Sequence, residues 1–230
     1  MKTLGIMQPY LFPYIGYFQL IKAVDEYVIY DDIQFIKGGW TNRNNILIQD
    51  QKSLFTVALE QASPNKLINE ISYKDEFAKF QKTLAMAYAR APHKEAVLSL
   101  VDRVCAFPDK NLARFNGHSL QLVADYLGLD TKFVYSSDLH KDNSLRAQAK
   151  VLAICEELGA GRYINAIGGI ELYDRAEFKR HGIELNFLQP DLSEYKQFSN
   201  AFVPGLSIID VMMFNAPGKI NSMLDQYELI

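Results

Sequence analysis

Two adjacent aspartates, Asp31 and Asp32, are the residues of this chain best suited to acid–base chemistry. Both lie near the end of the run from Glu26 to Ile33, which has the composition of a strand. A carboxylate at a strand end can accept a proton from an amine or hydroxyl nucleophile, or orient a sugar hydroxyl, and it can equally cap a helix or a turn. Because neighbouring side chains on a strand point to opposite faces, we expect only one aspartate to face a cleft. The sequence does not decide which.

The segment 34–44 carries a second set of side chains that suit ligand binding. It holds the only tryptophan, Trp40, with Lys37, Arg43 and Asn44 around a Gly-Gly pair. The Arg43 guanidinium is a planar fork of donors suited to phosphate or carboxylate, Lys37 is a mobile point charge, and Trp40 can stack on a sugar or base. The alternative is a solvated hairpin turn with one buried tryptophan. Two cations on one short excursion favour an anionic ligand.

An aromatic segment, residues 8–18, connects the first apolar run of the chain to its first helix-like pattern. It holds five aromatic rings and two prolines, more than an ordinary loop requires. Leu4 to Met7 has the composition of a buried strand, and Ile15 to Ala23 has the apolar spacing of a helix. Open α/β proteins bind ligands at such crossovers. The candidates for lining a sugar or base pocket are Gln8, Tyr14 and Tyr17.

Polar residues follow each strand-like run that we expect in a parallel sheet. If the strands that begin near residues 4, 27, 132, 162 and 184 are parallel, the residues just beyond them lie along one edge of the sheet. An α/β sheet binds small polar ligands at that edge. Local capping and turn formation explain the same residue types, so that alternative stays open. These residues beyond the strands, the strand exits, are Gln8, Asp31-Asp32, Ser136-Ser137-Asp138, Asn165 with Gly168-Gly169, and Gln189-Pro190-Asp191.

A late polar pair, Ser207 and Asp210, stands at the start of an apolar helix-like run that ends at Phe214. The spacing is that of a capping box, with Asp in place of Glu or Gln. Structural capping is one interpretation, and orientation of a substrate is the other. The histidines are isolated and both cysteines lie in apolar helical patterns. The sequence therefore predicts no metal site, no catalytic triad and two inert core thiols, and it identifies no cofactor.

These side chains are positioned by a predicted α/β fold. Strand-like and helical patterns alternate from Lys132 onward, which implies parallel strands with crossover helices. We expect a mostly parallel sheet, an antiparallel excursion near residues 33–60 and a helical insertion near residues 75–127, in a single domain spanning residues 1–230. After Pro217 a last helix is expected to run to about Glu228.

Composition argues against several classes of protein. The chain has 230 residues, of which 49% are hydrophobic and 22% charged, so it can bury a substantial core. Its formal charge is −3 with both signs interleaved, which argues against a nucleic-acid partner. The apolar stretches are far shorter than the roughly 20 residues that span a bilayer, and the N-terminus lacks a signal-peptide apolar region. We expect a cytoplasmic protein without membrane insertion, and the oligomeric state is not predicted.

Six segments carry a family resemblance. The first three are Ile6-Met-Gln-Pro-Tyr-Leu-Phe-Pro-Tyr-Ile-Gly-Tyr-Phe18, Val28-Ile-Tyr-Asp-Asp-Ile-Gln-Phe35 and Trp40-Thr-Asn-Arg-Asn44. The others are Ser136-Ser-Asp-Leu139, Leu158-Gly-Ala with Tyr163-Ile-Asn165, and Phe202-Val-Pro-Gly-Leu-Ser-Ile-Ile-Asp210. In this order they resemble the WbqC-like protein family. The resemblance implies work on nucleotide-linked amino sugars or their acyl groups, among enzymes for O-antigen and other surface polysaccharides. Asn215-Ala-Pro-Gly218 departs from the shorter Asn-x-Gly ending that the resemblance implies, so the role of that turn stays open.

A weaker likeness is to the nucleotidylyltransferase superfamily, whose first strand ends in a Gly-x-Phe-x-Pro turn that leads to a His-x-Gly-His helix start. Gly5-Ile-Met-Gln-Pro9 and Tyr14-Ile-Gly-Tyr17 fit that frame, with tyrosines where the histidines belong. A neutral phenol stabilises phosphate charge only weakly compared with imidazole. The likeness therefore favours a shared fold over shared chemistry.

The residues and the resemblance together favour a transferase. It would move an acyl or aminoacyl group to the amine of a nucleotide-linked amino sugar, a small-molecule substrate, in surface-polysaccharide assembly. The alternatives are a non-catalytic module that binds a nucleotide sugar or a partner, and a divergent nucleotidylyltransferase-like protein without the signature histidines. The expected roles are general base for Asp31 or Asp32, diphosphate binding for Lys37 and Arg43, and substrate contact for Gln8, Tyr14, Tyr17, Trp40, Asn44, Ser207 and Asp210.

Overall fold

The structure is a computed structural model that describes residues 1–74, 77–198 and 201–230. The strands are β1 (Thr3–Met7), β2 (Glu26–Ile29), β3 (Arg43–Ile48), β4 (Gln51–Thr56), β5 (Leu59–Glu60), β6 (Ser72–Tyr73), β7 (Lys132–Tyr135), β8 (Arg162–Ala166), β9 (Glu184–Pro190) and β10 (Tyr227–Leu229). The helices are α1 (Ile15–Lys22), α2 (Ala78–Ala87), α3 (Lys94–Cys105), α4 (Leu112–Leu127), α5 (Ala147–Glu157), α6 (Arg175–Arg180), α7 (Ile208–Phe214) and α8 (Pro217–Met223).

The main sheet has six strands in the order β10-β9-β8-β1-β2-β7. All of its pairings are parallel except that of β10 with β9. The chain leaves β1 toward β2 and β7, then crosses to the other side of β1 for β8 and β9. This reversal creates a topological switch point between β1 and β8, and it brings the five predicted strand exits to one edge. The predicted α/β fold with a mostly parallel sheet is confirmed.

Helices cover both faces of the sheet. On one face α5 and α6 contribute Val151, Cys155 and Phe178 to a core with the strand residues Leu4 and Val28. The larger core lies on the other face and contains side chains from α1, α4, α7 and α8. Since a crossover helix runs back against the strands it connects, the N-terminus of α5 lies at the carboxyl edge of the sheet.

The antiparallel excursion and the helical insertion both form where the sequence predicts them. β3 and β4 form a hairpin whose tip residues, Gln49 and Asp50, have φ of 51° and 60°. Two left-handed residues at the tip match the right-handed twist of the flanking strands. α2, α3 and α4 fall within residues 75–127, and Gly128 ends α4 in the left-handed conformation. Residues 75 and 76 lie outside the described residues.

Three predicted elements differ from the structure. β2 ends at Ile29, because Asp31 N donates to the carbonyl of Ile29 and turns the chain before the aspartates. The composition of residues Ile68 to Tyr73 also predicts a strand, but this stretch is a 3-10 turn, Ile68–Glu70, followed by the two-residue β6. The predicted last helix was wrong beyond Met223, since residues 227–229 instead extend the sheet as β10.

Candidate functional site

A cleft of about 670 Å³ lies at the carboxyl edge of the sheet, beside the ends of β2 and β7. Its walls come from the residues after these strands, from the 3-10 turn and the loop before it, and from the first turn of α5 with the loop before it. We call it the Asp32 cleft. It is lined by Tyr30, Asp32, Ile33, Gln34, Asn65, Leu67, Asn69, Glu70, Ser137, Asn143, Arg146, Ala147 and Lys150.

Asp32 is held between two buried lysines. Its Oδ2 lies 2.8 Å from Lys141 Nζ and 2.9 Å from Lys150 Nζ, and the two lysine side chains are 1% and 4% exposed. Lys150 Nζ also donates to the backbone carbonyl of Asp32, at 2.7 Å. Burial by itself would raise the pKa of Asp32, but hydrogen bonds from Lys141, Ser136 and Lys150 bring it below its usual range. One ionised carboxylate thus meets two ammonium groups, which gives the cluster a positive surplus.

Asp31 is turned away from the cleft and is fully buried. Its Oδ1 accepts the N–H of Ser137 at 2.9 Å, and its Oδ2 accepts the Ser137 hydroxyl at 2.6 Å and the Asn69 amide at 3.4 Å. Burial raises the pKa of Asp31, although the hydrogen bonds from Ser137 oppose the rise. Asp31 therefore fixes Ser137 and Asn69, two residues of the cleft wall. The structure answers the question left open by the sequence, because Asp32 is the aspartate that faces the cleft.

Arg146 and Tyr30 complete the cationic side of the Asp32 cleft. Arg146 Nη1 donates to the carbonyls of Asn143 and Leu145 at 2.8 and 2.9 Å. Its guanidinium makes no ion pair with a carboxylate within residues 1–74, 77–198 and 201–230. The ring of Tyr30 has Lys150 Nζ at 5.5 Å from its centroid. Burial and the nearby Asp32 raise the pKa of Tyr30, so its phenol is a neutral donor at physiological pH.

The aromatic segment, residues 8–18, packs mainly into the core and does not line the Asp32 cleft. Tyr17 is 3% exposed, and its hydroxyl donates to the carbonyl of Gln8 at 2.6 Å. Tyr14 is half-buried with its ring over Gly16, where a Cβ atom would lie only 2.5 Å from a ring carbon. Gln8 is half-buried at the carboxyl end of β1. The substrate contacts expected of Gln8, Tyr14 and Tyr17 stay predictions.

Asn44 and Ser207 converge on one backbone atom, the carbonyl oxygen of Phe12. Asn44 Nδ2 donates to it at 2.8 Å and the Ser207 hydroxyl at 2.7 Å. Phe12 is buried and has a φ of 44°, a conformation that few residues with a bulky side chain adopt. Asn116, which the sequence analysis missed, holds the same segment through its amide to the carbonyl of Pro9 at 3.0 Å. Its signal is a polar amide on the apolar face of α4.

Trp40 and Arg43 lie beside each other, and Lys37 precedes them in the segment before β3. Lys37 is exposed, and Trp40 is 45% exposed. Arg43 Nε donates to the carbonyl of Gly39 at 2.9 Å, and its guanidinium carbon lies 6.0 Å from the centre of the Trp40 ring. None of the three lines the Asp32 cleft. The structure therefore keeps the cations of segment 34–44 out of the cleft that Asp32 faces.

Asp210 forms a buried network away from the Asp32 cleft. Its carboxylate accepts the hydroxyls of Tyr88 and Tyr195 at 2.8 and 2.6 Å and the Gln197 amide at 2.8 Å. Burial raises the pKa of Asp210, and these hydrogen bonds oppose the rise. Ser207 caps α7 by accepting the N–H of Ile209, so the capping interpretation applies to Ser207. Asp210 instead ties the segment around Tyr195 and Gln197 to the core.

The sequence pattern did not reveal three cations at or beside the Asp32 cleft: Lys141, which contacts Asp32, and Arg146 and Lys150, which line the cleft. A signal for Lys150 was present, because it stands beside Val151 on the face of α5 that packs against the sheet. A lysine in that position must either reach solvent or find a buried carboxylate. The partner could not be identified from the sequence, since Asp32 is 118 residues away.

The described residues form neither a metal-binding cluster nor a membrane-spanning helix. In the part of the chain that the structure describes, no group of three or more His, Cys, Asp or Glu side chains is arranged to hold a metal ion. Among the same residues, no helix has the length and apolar character needed to cross a membrane. Both cysteines are buried and unpaired, and burial raises the pKa of each thiol to about 12.

Comparison with known proteins adds a family and a relative. The sequence profile of the WbqC-like protein family matches residues 8–222. The chain is 28% identical to the uncharacterized protein Rv1507c of Mycobacterium tuberculosis (strain ATCC 25618 / H37Rv). The aligned region has 220 residues and covers 94% of each chain. No solved structure matches the chain significantly.

Proposed function

Since the chain belongs to the WbqC-like protein family, we propose that it is a transferase for a nucleotide-linked amino sugar. The proposed reaction moves an acyl or aminoacyl group to the sugar amine during assembly of O-antigen or another surface polysaccharide. The observation that supports the proposal is the net positive charge of the cluster formed by Asp32, Lys141 and Lys150. This cluster lies at the edge where α/β sheets bind ligands. The expected single domain and cytoplasmic location belong to the same proposal.

The cations of the Asp32 cleft suit the diphosphate of a sugar nucleotide. Lys150 and Arg146 both line the cleft, and Arg146 has N–H groups left over after its two bonds to backbone carbonyls. A guanidinium offers paired donors to phosphate oxygens, and a lysine adds a point charge. This pair takes the role that the sequence analysis expected of Lys37 and Arg43.

The proposed step is an ordinary acyl transfer. The sugar nitrogen attacks the carbonyl carbon of an activated acyl donor, and a C–N bond forms. The bond to the donor's leaving atom breaks with its electron pair, and the proton lost by the nitrogen passes to that leaving atom. Asp32 is a weak proton acceptor, because its lysine partners lower its pKa. We therefore propose that Asp32 positions Lys141 and Lys150 rather than acting as the general base.

Incubation with UDP- and dTDP-linked amino sugars and activated acyl donors tests the function. We expect a sugar nucleotide whose mass has increased by the acyl group. Arg146→Ala should raise KM for the sugar nucleotide about tenfold, the equivalent of 1.4 kcal/mol. Lys37→Ala, which removes an exposed cation outside the cleft, is the matched control and should leave KM unchanged.

Two other outcomes separate the alternatives. A ligand-dependent rise in melting temperature without product would favour a non-catalytic nucleotide-sugar module. Pyrophosphate release from a nucleoside triphosphate and magnesium would favour nucleotidyl transfer. The proposed function would be contradicted if no sugar nucleotide gave either a product or a melting shift.

A further inference from the structure

The Asp32 cleft is electrically polarised. The α5 side contributes the cations Lys150 and Arg146, with Lys141 behind Asp32. The side formed by the 3-10 turn and the loop before it contributes one carboxylate, Glu70, and the amides of Asn65 and Asn69. A ligand that fills the cleft therefore meets positive charge on one wall and negative charge on another.

Glu70 is held in place and keeps a free oxygen. Its Oε2 accepts the N–H of Leu67 at 2.7 Å, and its own N–H donates to the carbonyl of Leu67 at 3.1 Å. Its Oε1 has no hydrogen-bond partner, and the carboxylate pairs with no lysine or arginine, within the ranges 1–74, 77–198 and 201–230. Asn69 beside it is held in two ways: its side-chain amide donates to Asp31, and its backbone carbonyl accepts the Asn111 amide at 2.7 Å. Hydrogen bonds thus hold Glu70 and Asn69 of the acidic wall, while Glu70 stays exposed to solvent.

We infer that Glu70 and the neighbouring amides form the subsite for the amine of the substrate. This inference rests on the proposed function and deepens it. An ammonium or amine group donates hydrogen bonds, a carboxylate only accepts them, and an amide carbonyl is a second acceptor. The cleft then selects a ligand that carries phosphate at one end and an amine at the other. Glu70 discriminates an amino sugar from its hydroxyl analogue, and Arg146 and Lys150 do not.

The experiment measures binding by calorimetry at pH 6.5, with UDP-glucosamine and UDP-glucose as the matched probes. The wild-type protein should bind UDP-glucosamine about tenfold more tightly, and Glu70→Gln should remove the difference. The glutamine carbonyl can still accept the N–H of Leu67, so the turn is expected to persist. Arg146→Ala should weaken both probes equally. Glu60→Gln, at an exposed carboxylate outside the cleft, is the control and should retain the wild-type preference.

A charge reversal gives a second readout that a misfolded variant could not produce. Glu70→Lys should bind UDP-glucose more tightly than UDP-glucosamine, the opposite of the wild-type selectivity. Equal binding of both amine and hydroxyl probes by the wild type, no binding of either, or an undiminished preference in Glu70→Gln would overturn the inference. Amine selectivity that depends on Glu70, without acyl transfer from any donor to the sugar amine, would overturn the proposed reaction alone.

Discussion

Asp31 and Asp32 are adjacent in the chain, yet the fold gives them opposite environments. Among the described residues, Asp31 has hydrogen-bond donors but no cation on its carboxylate, and its pKa is raised by burial. Asp32 has two lysines, and its pKa is lowered. The alternation of side chains along an extended chain predicted that the two would face different ways. Which one faces the cleft depended on Ser137 and on Lys141 and Lys150, more than a hundred residues away.

Asp32→Asn should destabilise the protein by about 3–5 kcal/mol, because it leaves two buried ammonium groups without their carboxylate. Urea denaturation at pH 7 measures the loss. Since the pKa of Asp32 is lower in the folded state, its contribution is present above the unfolded value of about 3.9 and is lost as pH falls through the folded value.

Two further variants test whether the loss of stability in Asp32→Asn comes from its unpaired lysines. Asp138→Asn removes an ion pair in which Arg114 and Asp138 are partly exposed, and it should cost only about 0–1 kcal/mol. Asp32→Asn combined with Lys150→Met should lose less than Asp32→Asn alone, because one unpaired charge is removed. Equal losses for Asp32→Asn and Asp138→Asn would contradict the account.

At the scale of elements, periodicity predicted most helices and strands, but it did not predict the hydrogen bonds that connect them. β7 and β8 begin at the predicted residues, Lys132 and Arg162, because each is a short apolar run with turn residues beyond it. The aromatic segment was correctly expected to join a strand to a helix. The sequence did not reveal that its carbonyls are held by side chains from β3, α4 and the start of α7. Such contacts join residues far apart in the chain.

Asn44→Ala and Ser207→Ala should each lower the free energy of unfolding by about 0.5–2 kcal/mol. The double variant should lose more than the sum, because the buried carbonyl of Phe12 then has no partner among the described residues. Chemical denaturation of all four proteins gives the coupling energy. Ser222→Ala removes an exposed hydroxyl bond to Gly218 and should change stability by less than about 0.5 kcal/mol. Strict additivity would show that Phe12 O is not the shared partner.

At the scale of the whole molecule, the parallel sheet was predictable and its antiparallel edge was not. Three residues, 227–229, carry too little pattern to indicate a strand, and β10 forms because β9 offers it an unpaired edge. The Asp32 cleft was likewise predictable in part. Its place at the carboxyl edge was predictable from strand exits, whereas its cationic wall depends on how α5 packs across the sheet. Tertiary packing, rather than local pattern, decided both.

Gln19 connects α1 to the edge of the sheet formed by β9 and β10. The side chain is fully buried, and its Nε2 donates to the carbonyls of Asp191, Met223 and Gln226 at 3.1, 3.0 and 2.8 Å. Gln19→Met should leave these carbonyls without that donor and raise the opening rate of the β10 edge about tenfold, which corresponds to 1.4 kcal/mol. Hydrogen exchange should report faster labelling at Asp191 and Ile230, whose N–H groups bond across this edge.

Amides of β1 and β2 should keep their protection, since they open only with the whole sheet. Lys22→Met is the matched control on the same helix, because Lys22 contacts Asn221 and Asp225 from a partly exposed position. Its effect on exchange at the edge should be smaller than that of Gln19→Met. If Gln19→Met instead accelerates exchange in β1 and β2 to the same extent, the edge does not open by itself, and Gln19 stabilises the whole sheet.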